Sequence, residues 1–157
     1  MQDHRTPFLS AGEKETLRAF LDYLREAIVR KVSGLDADVA RQPQVPSGTS
    51  LLGLAKHLTM AEVFWFPYIT AGHEVAVPGD AVEDGDEVDG VLERYRAACT
   101  ESNRVIAEAD PEQRTARSYD SRDLTVRWVH VHMVEETARH AGHADILREQ
   151  LDGRTGR

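Results

Sequence analysis

Hydrophobic residues recur at helical spacing in four stretches of the chain, and no stretch shows the strict alternation of a half-buried strand. Leu17, Phe20, Leu21, Leu24 and Ile28 share one face of a first helix. Ser10 and Glu13 of "SAGE" form a capping-box pattern at its start, and Ser33 and Gly34 end it. Leu51, Leu54, Leu58, Ala61 and Trp65 predict a second helix that opens near Thr49 or Ser50 and is stopped by Pro67. A third covers residues 87–109, with Leu92, Tyr95, Cys99 and Ile106 inward, and ends before Asp110 and Pro111. The fourth opens between residues 121 and 123 and closes at Leu151 and Asp152, with Gly153 as its C-terminal cap.

Two connections are long. "GLDADVARQPQVPSGTS", residues 34–50, is held open by Pro43, Pro46 and Gly48. "GHEVAVPGDAVEDGDEVDG", residues 72–90, is acidic, full of turn residues, and reads as a solvated loop. Four amphipathic helices in a single domain spanning 1–157 predict an all-α four-helix bundle. Short loops fold each helix back beside the last, whereas the second long connection can cross the bundle and lets helices two and three run parallel.

The fourth helix departs from the pattern of the other three. In "HVHMVEETARHAGHADILREQL", counting about 100° per residue from Glu136 puts Thr125, Val129, His132, His140, His143, Leu147 and Leu151 within roughly 60° of it. This stripe runs apolar, polar, apolar, with the polar patch in the middle of the side expected to be buried. His130 and Glu135 fall outside it and read as surface or flank positions. Burying an unpaired imidazole or carboxylate is costly unless something compensates, and a metal ion would. A lone histidine on such a face is more often a core residue bonded to a carbonyl, and Arg139 or Arg148 paired with a glutamate would be an ordinary salt bridge. The grouping of Glu136 and His140, flanked by His132 and His143, shifts the balance toward a metal.

His57 adjoins Leu58 in the arc of Leu54 and Ala61, so it can face that pair across the core. Two ligands four residues apart sit on adjacent turns and converge on one ion, while a third arrives from another helix. Glu62 lies about 140° round from His57 and is not counted as a ligand.

Composition narrows the partners. The net charge of −8 argues against nucleic acid and against an anionic membrane surface. With no apolar run long enough to span a bilayer and no apolar segment in "MQDHRTPF", a cytoplasmic location is expected. The single cysteine, Cys99, excludes an internal disulfide and a cysteine-based zinc cluster, and reads as core packing.

The segments "LAKHLTMAEVFWF" and "MVEETARHAGHADILRE" resemble the DinB-like bundle superfamily, in the branch that includes the mycothiol-dependent maleylpyruvate isomerase. The resemblance covers about residues 10–151. It matches the family's first metal histidine to His57 and the pair on its last helix to Glu136 and His140. Many relatives carry two histidines there, whereas this chain has Glu then His, as in the isomerase. The resemblance implies helices running up, down, down and up, frequent homodimers, a divalent metal, a low-molecular-weight thiol such as mycothiol, and no DNA binding. It carries no particular substrate.

Two histidines and a glutamate fill three positions of a tetrahedral zinc site and leave the fourth open, as catalytic zinc requires. A thiol taken there would be held as thiolate and attack an electrophilic small molecule, giving conjugation or isomerisation. The expectation is therefore a metal-dependent thiol S-transferase or isomerase, with zinc as the ion and nickel or another borderline metal as alternatives. His143, one turn beyond His140, is the candidate catalytic residue, as a proton carrier, a partner to a ligand, or a ligand replacing Glu136; His132 is a weaker candidate. Two other readings stay open. In one, a non-catalytic metal-binding stress or ligand-binding bundle has its fourth position closed by His143 or His132. In the other, the patch is a metal-free hydrogen-bonded network in an interaction module.

Overall fold

The computed structural model describes residues 6, 7 and 9–155, so the N-terminal stretch weighed for a leader lies outside the described residues except for Thr6 and Pro7. Its helices are α1 (Glu13–Val32), α2 (Ala37–Arg41), α3 (Leu51–Val63), α4 (Val88–Glu108) and α5 (Val126–Asp152), and α3 continues as a π-helix over Phe64–Thr70. The four long helices form the expected all-α bundle. None is long and apolar enough to cross a membrane among the described residues.

The core shows how the helices run. At one end, Ile28 and Val32 of α1 meet Leu51 and Leu58 of α3, Val91 and Tyr95 of α4, and Ala144 and Leu147 of α5. At the other, Leu21 meets Phe66 and Ile69, Val105 and Ile106, and Val129 and Met133. Thus α1 and α5 finish where α3 and α4 begin, which is the up, down, down, up order. Since α3 and α4 are parallel, residues 71–87 must travel back along the bundle. Seventeen residues reach about 56 Å when extended, ample for a helix about 32 Å long.

Local chemistry moves several of the expected boundaries. The Ser10 and Glu13 box does not form: Gly12 is the N-cap of α1 without a side-chain bond, because Glu13 is drawn across to Arg127 of α5. The first connection holds the short α2, capped by the Asp36 carboxylate on the Asp38 N–H. Pro67 does not end its helix. Lacking an N–H, it is absorbed by widening the turn, so that the Ala71 N–H reaches the Phe66 carbonyl and the Thr70 hydroxyl reaches that of Trp65. Before α5 the chain makes a tight hairpin in which Tyr119 and Arg122 exchange both backbone bonds, with Asp120 and Ser121 at positive φ. Thr125, rather than residues 121–123, then caps α5 through the Trp128 N–H.

The phase of α5 is the largest correction. Its buried residues are Val126, Val129, His130, Met133, Thr137, Ala141, Ala144, Leu147 and Arg148. They centre roughly 80° round the helix from Glu136. The polar stripe therefore marks the edge of the core face and not its middle, and His130, expected at the surface or flank, is buried. Small residues explain the error: Ala141, Ala144 and Thr137 carry little hydrophobic signal, yet they allow α5 to approach its neighbours. Arg148 is also buried there and donates to the carbonyls of Lys31 and Ser33, closing the C-terminus of α1. Glu135 is exposed as expected, and pairs with Arg139.

Candidate metal centre

His57 on α3 and the pair Glu136 and His140 on α5 come together at the seam between the two helices. The i, i+4 spacing stacks Glu136 and His140 on successive turns, and His57 occupies the matching edge of α3, half-buried as they are. His57 donates from Nε2 to Glu136 Oε1 at 2.9 Å, and His140 donates from Nε2 to the same oxygen at 3.1 Å. The two imidazoles meet edge to face with centroids 4.7 Å apart. One donor atom from each of the three lies within 4.8 Å of the others, and this is the one such group among the described residues.

The electrostatics follow from the shared carboxylate. Burial works to raise the Glu136 pKa, but the hydrogen bond from His57 and the charge on His140 outweigh it and hold it below the usual carboxylate value. Burial likewise disfavours a charged His57, yet its bonds to Glu136 and Asp80 win and raise its pKa. For His140, burial dominates and lowers the pKa, because the pull of Glu136 is countered by charge on His57 and His143. His140 Nδ1 is buried with no hydrogen-bond partner among the described residues.

A cavity of about 530 Å³ opens beside the cluster, lined by His57, His140 and His143 together with Arg41, Ser47, Thr49 and Asp80 among others. His143 is exposed on this wall, its ring edge-on to His140 at 5.5 Å. His132 points elsewhere: it stacks on Trp128 at 5.0 Å and meets Trp65 edge-on at 4.8 Å, within an aromatic cluster. Glu62 is also apart from the group, fully buried and bound bidentately by Arg25. Cys99 packs against the core, and burial pushes its thiol well above the ordinary value.

One contributor was missed by the sequence reading. The acidic connection is not merely solvated, for Asp80 Oδ2 accepts from His57 Nδ1 at 3.2 Å. Asp86 is buried and takes Lys56 at 2.5 Å and Arg94 at 3.1 Å. Nothing in the local pattern separates these two carboxylates from their acidic neighbours; only the path of the crossover does.

Fold and cluster together define an up-down-down-up helical bundle with a His, Glu, His group shared by two helices, the DinB-like plan that the segments around His57 and His140 resemble. The chain belongs to the mycothiol-S-transferase family, whose model matches residues 16–153. That span includes all three residues of the cluster and His143, and the family's description points to mycothiol-related thiol transfer. No individually curated protein matches the chain.

Proposed function

We propose that this protein is a metal-dependent thiol transferase that holds one divalent ion, zinc in the first instance, on His57, Glu136 and His140, and directs a mycothiol-like thiol at an electrophilic small molecule. The observation that carries this reading is the convergence of three donor atoms within 4.8 Å beside an open cavity. Two imidazole nitrogens and a carboxylate oxygen are a donor set for a borderline dication. The hydrogen-bond partners of Glu136 are the two imidazoles, so no arginine or lysine among the described residues neutralises it.

When bound, the ion supplies the positive charge that keeps a thiol ionised at neutral pH. The cavity wall supplies recognition. Ser47 and Thr49 present hydroxyls 3.1 Å apart, and the Arg41 guanidinium is already committed to the carbonyls of Ala37, Asp84 and Asp86. Such a wall suits the hydroxyl-rich, uncharged body of a sugar-bearing thiol better than a polyanionic one. His143, on the same wall, takes the thiol proton at a ring nitrogen. The sulfur electron pair then forms a carbon–sulfur bond, and the displaced pair passes to the acceptor or its leaving group, which receives the proton from His143. In an isomerisation the sulfur adds, the bond made single rotates, and the thiolate departs with its pair.

Metal analysis and transfer assays on the same preparations test this. Wild type should carry about one divalent ion per chain, and His57→Ala should lose most of it. His143→Ala should keep the ion but slow transfer of the thiol to a chromogenic chloronitrobenzene. Equal metal content in wild type and His57→Ala would sink the three-ligand proposal. The edge-on approach of His143 to His140 favours a second reading, in which His143 closes the fourth position and the protein binds metal without catalysis. A His143→Ala variant that gains thiol binding absent from wild type would establish that reading instead.

A further inference from the structure

We propose that Asp80 is the positioning residue of the centre: the crossover segment delivers its carboxylate to His57 Nδ1 so that Nε2, the nitrogen facing Glu136, is the one offered to an ion. This rests on the reading of His57, Glu136 and His140 as ligands. An imidazole that ligates through one nitrogen carries its proton on the other, and a carboxylate on that N–H fixes both tautomer and ring angle. His57 meets this condition at Nδ1, where Asp80 Oδ2 is 3.2 Å away, and its Nε2 lies 2.9 Å from Glu136, the carboxylate that would share the ion. His140 does not, since its Nδ1 has no partner among the described residues. Orientation of the centre from outside its own helices therefore falls on Asp80.

An exposed carboxylate positions a ring only if its backbone is held, and the crossover is pinned six residues further on. Buried Asp86 accepts from Lys56, from Arg94 and from the backbone N–H of Glu83. Arg41 of α2 donates to the carbonyls of Asp84 at 2.8 Å and Asp86 at 3.0 Å. Lys56 immediately precedes His57, so the crossover is tied to the turn of α3 that it serves. Between pin and carboxylate, Val82 packs over Gly53 one turn before His57. The up-down-down-up order thus does more than connect parallel helices, because it lays an acidic segment along the seam where the ligands meet.

The test uses the full chain, with zinc affinity measured by competition against a chromophoric chelator. Asp80→Ala should weaken zinc binding about 10–100-fold, while the helical circular dichroism and melting temperature of the metal-free protein stay at wild-type values. Asp80→Asn, which keeps an acceptor oxygen for the ring N–H, should recover most of the affinity. In the zinc-loaded protein the Nδ1 proton of His57 should give a slowly exchanging resonance that is lost in Asp80→Ala and kept in Asp80→Asn. Wild-type affinity in Asp80→Ala with that resonance intact overturns the inference alone. Equal losses in the two variants also overturn it, in favour of charge without a hydrogen bond. Failure of wild type to bind zinc removes the ligand reading and this inference together.

Discussion

Glu62 and Glu136 are both glutamates on the bundle's interior helices, and their surroundings have opposite consequences. Glu62 is fully buried, and both of its oxygens are taken by Arg25, at 2.8 and 2.7 Å. Arg25 is bound in turn by Asp22 and Asn103, so the charge is closed on every side. Glu136 shows 18% of its side chain, meets two imidazoles through one oxygen, and has no arginine or lysine partner among the described residues. A saturated ion pair contributes to the fold and binds nothing further. A carboxylate shared by two weak bases beside a cavity has capacity left for an ion.

The contrast is broken most severely at Arg25. Arg25→Ala leaves Glu62 buried without its counter-charge and should destabilise the protein by about 3–5 kcal/mol in urea denaturation. Glu136→Gln in the metal-free protein should cost less than about 1 kcal/mol. A mild Arg25→Ala would mean that water reaches Glu62 and that the two sites differ less than their geometry indicates.

The histidines beside Arg25 and Glu136 sharpen it further. Burial, and then the charge of Arg25, lower the pKa of His130 to about 4, whereas the bonds to Glu136 and Asp80 raise that of His57. His130 is therefore neutral in the fold and takes up its proton more readily when unfolded. Its contribution is fully present above the unfolded value near 6.5 and is lost as pH falls toward 4, about 3 kcal/mol in all. Denaturation of wild type and His130→Gln between pH 7 and 4.5 should show a steep loss for the first and a shallower one for the second. His57 has the opposite sign: in the metal-free protein its contribution is present below the unfolded value and fades as pH rises through the folded one. Glu136→Gln should flatten that decline.

Metal affinity separates neighbouring glutamates. Glu136→Gln should weaken zinc binding on the order of 100-fold, and Glu135→Gln should leave it unchanged, since the Glu135 carboxylate faces solvent and Arg139. The reverse result in a chelator competition would place the wrong face of α5 at the centre.

The four long helices were legible because Leu, Ile, Phe and Trp recur at helical spacing, and the length of residues 71–87 made the parallel pair possible. The convergence of His57 with Glu136 and His140 was legible too, because i, i+4 spacing survives an error of phase. The error itself arose on α5, where large side chains were weighted over Ala141 and Ala144; it reversed the reading of His130 and placed a rim cluster in the core. Pro67 was read as a stop because the sequence pattern does not register a π-helical turn. Asp80 and Asp86 were hidden for a different reason. Their roles depend on where an irregular segment passes, and periodicity carries no information about that.

The most direct measurement concerns the coordination position that three protein ligands leave free. The protein loaded with cobalt, whose absorption reports its ligands, is titrated with a small thiol at constant pH. If His57, Glu136 and His140 hold the ion and the fourth place is open, a sulfur-to-metal charge-transfer band grows in the near ultraviolet and a proton is released as it forms. In His143→Ala the band should persist while transfer to an electrophile slows. A cobalt spectrum that ignores thiol in wild type and responds to it only in His143→Ala would contradict the transferase, because His143 would then be the fourth ligand of a closed site.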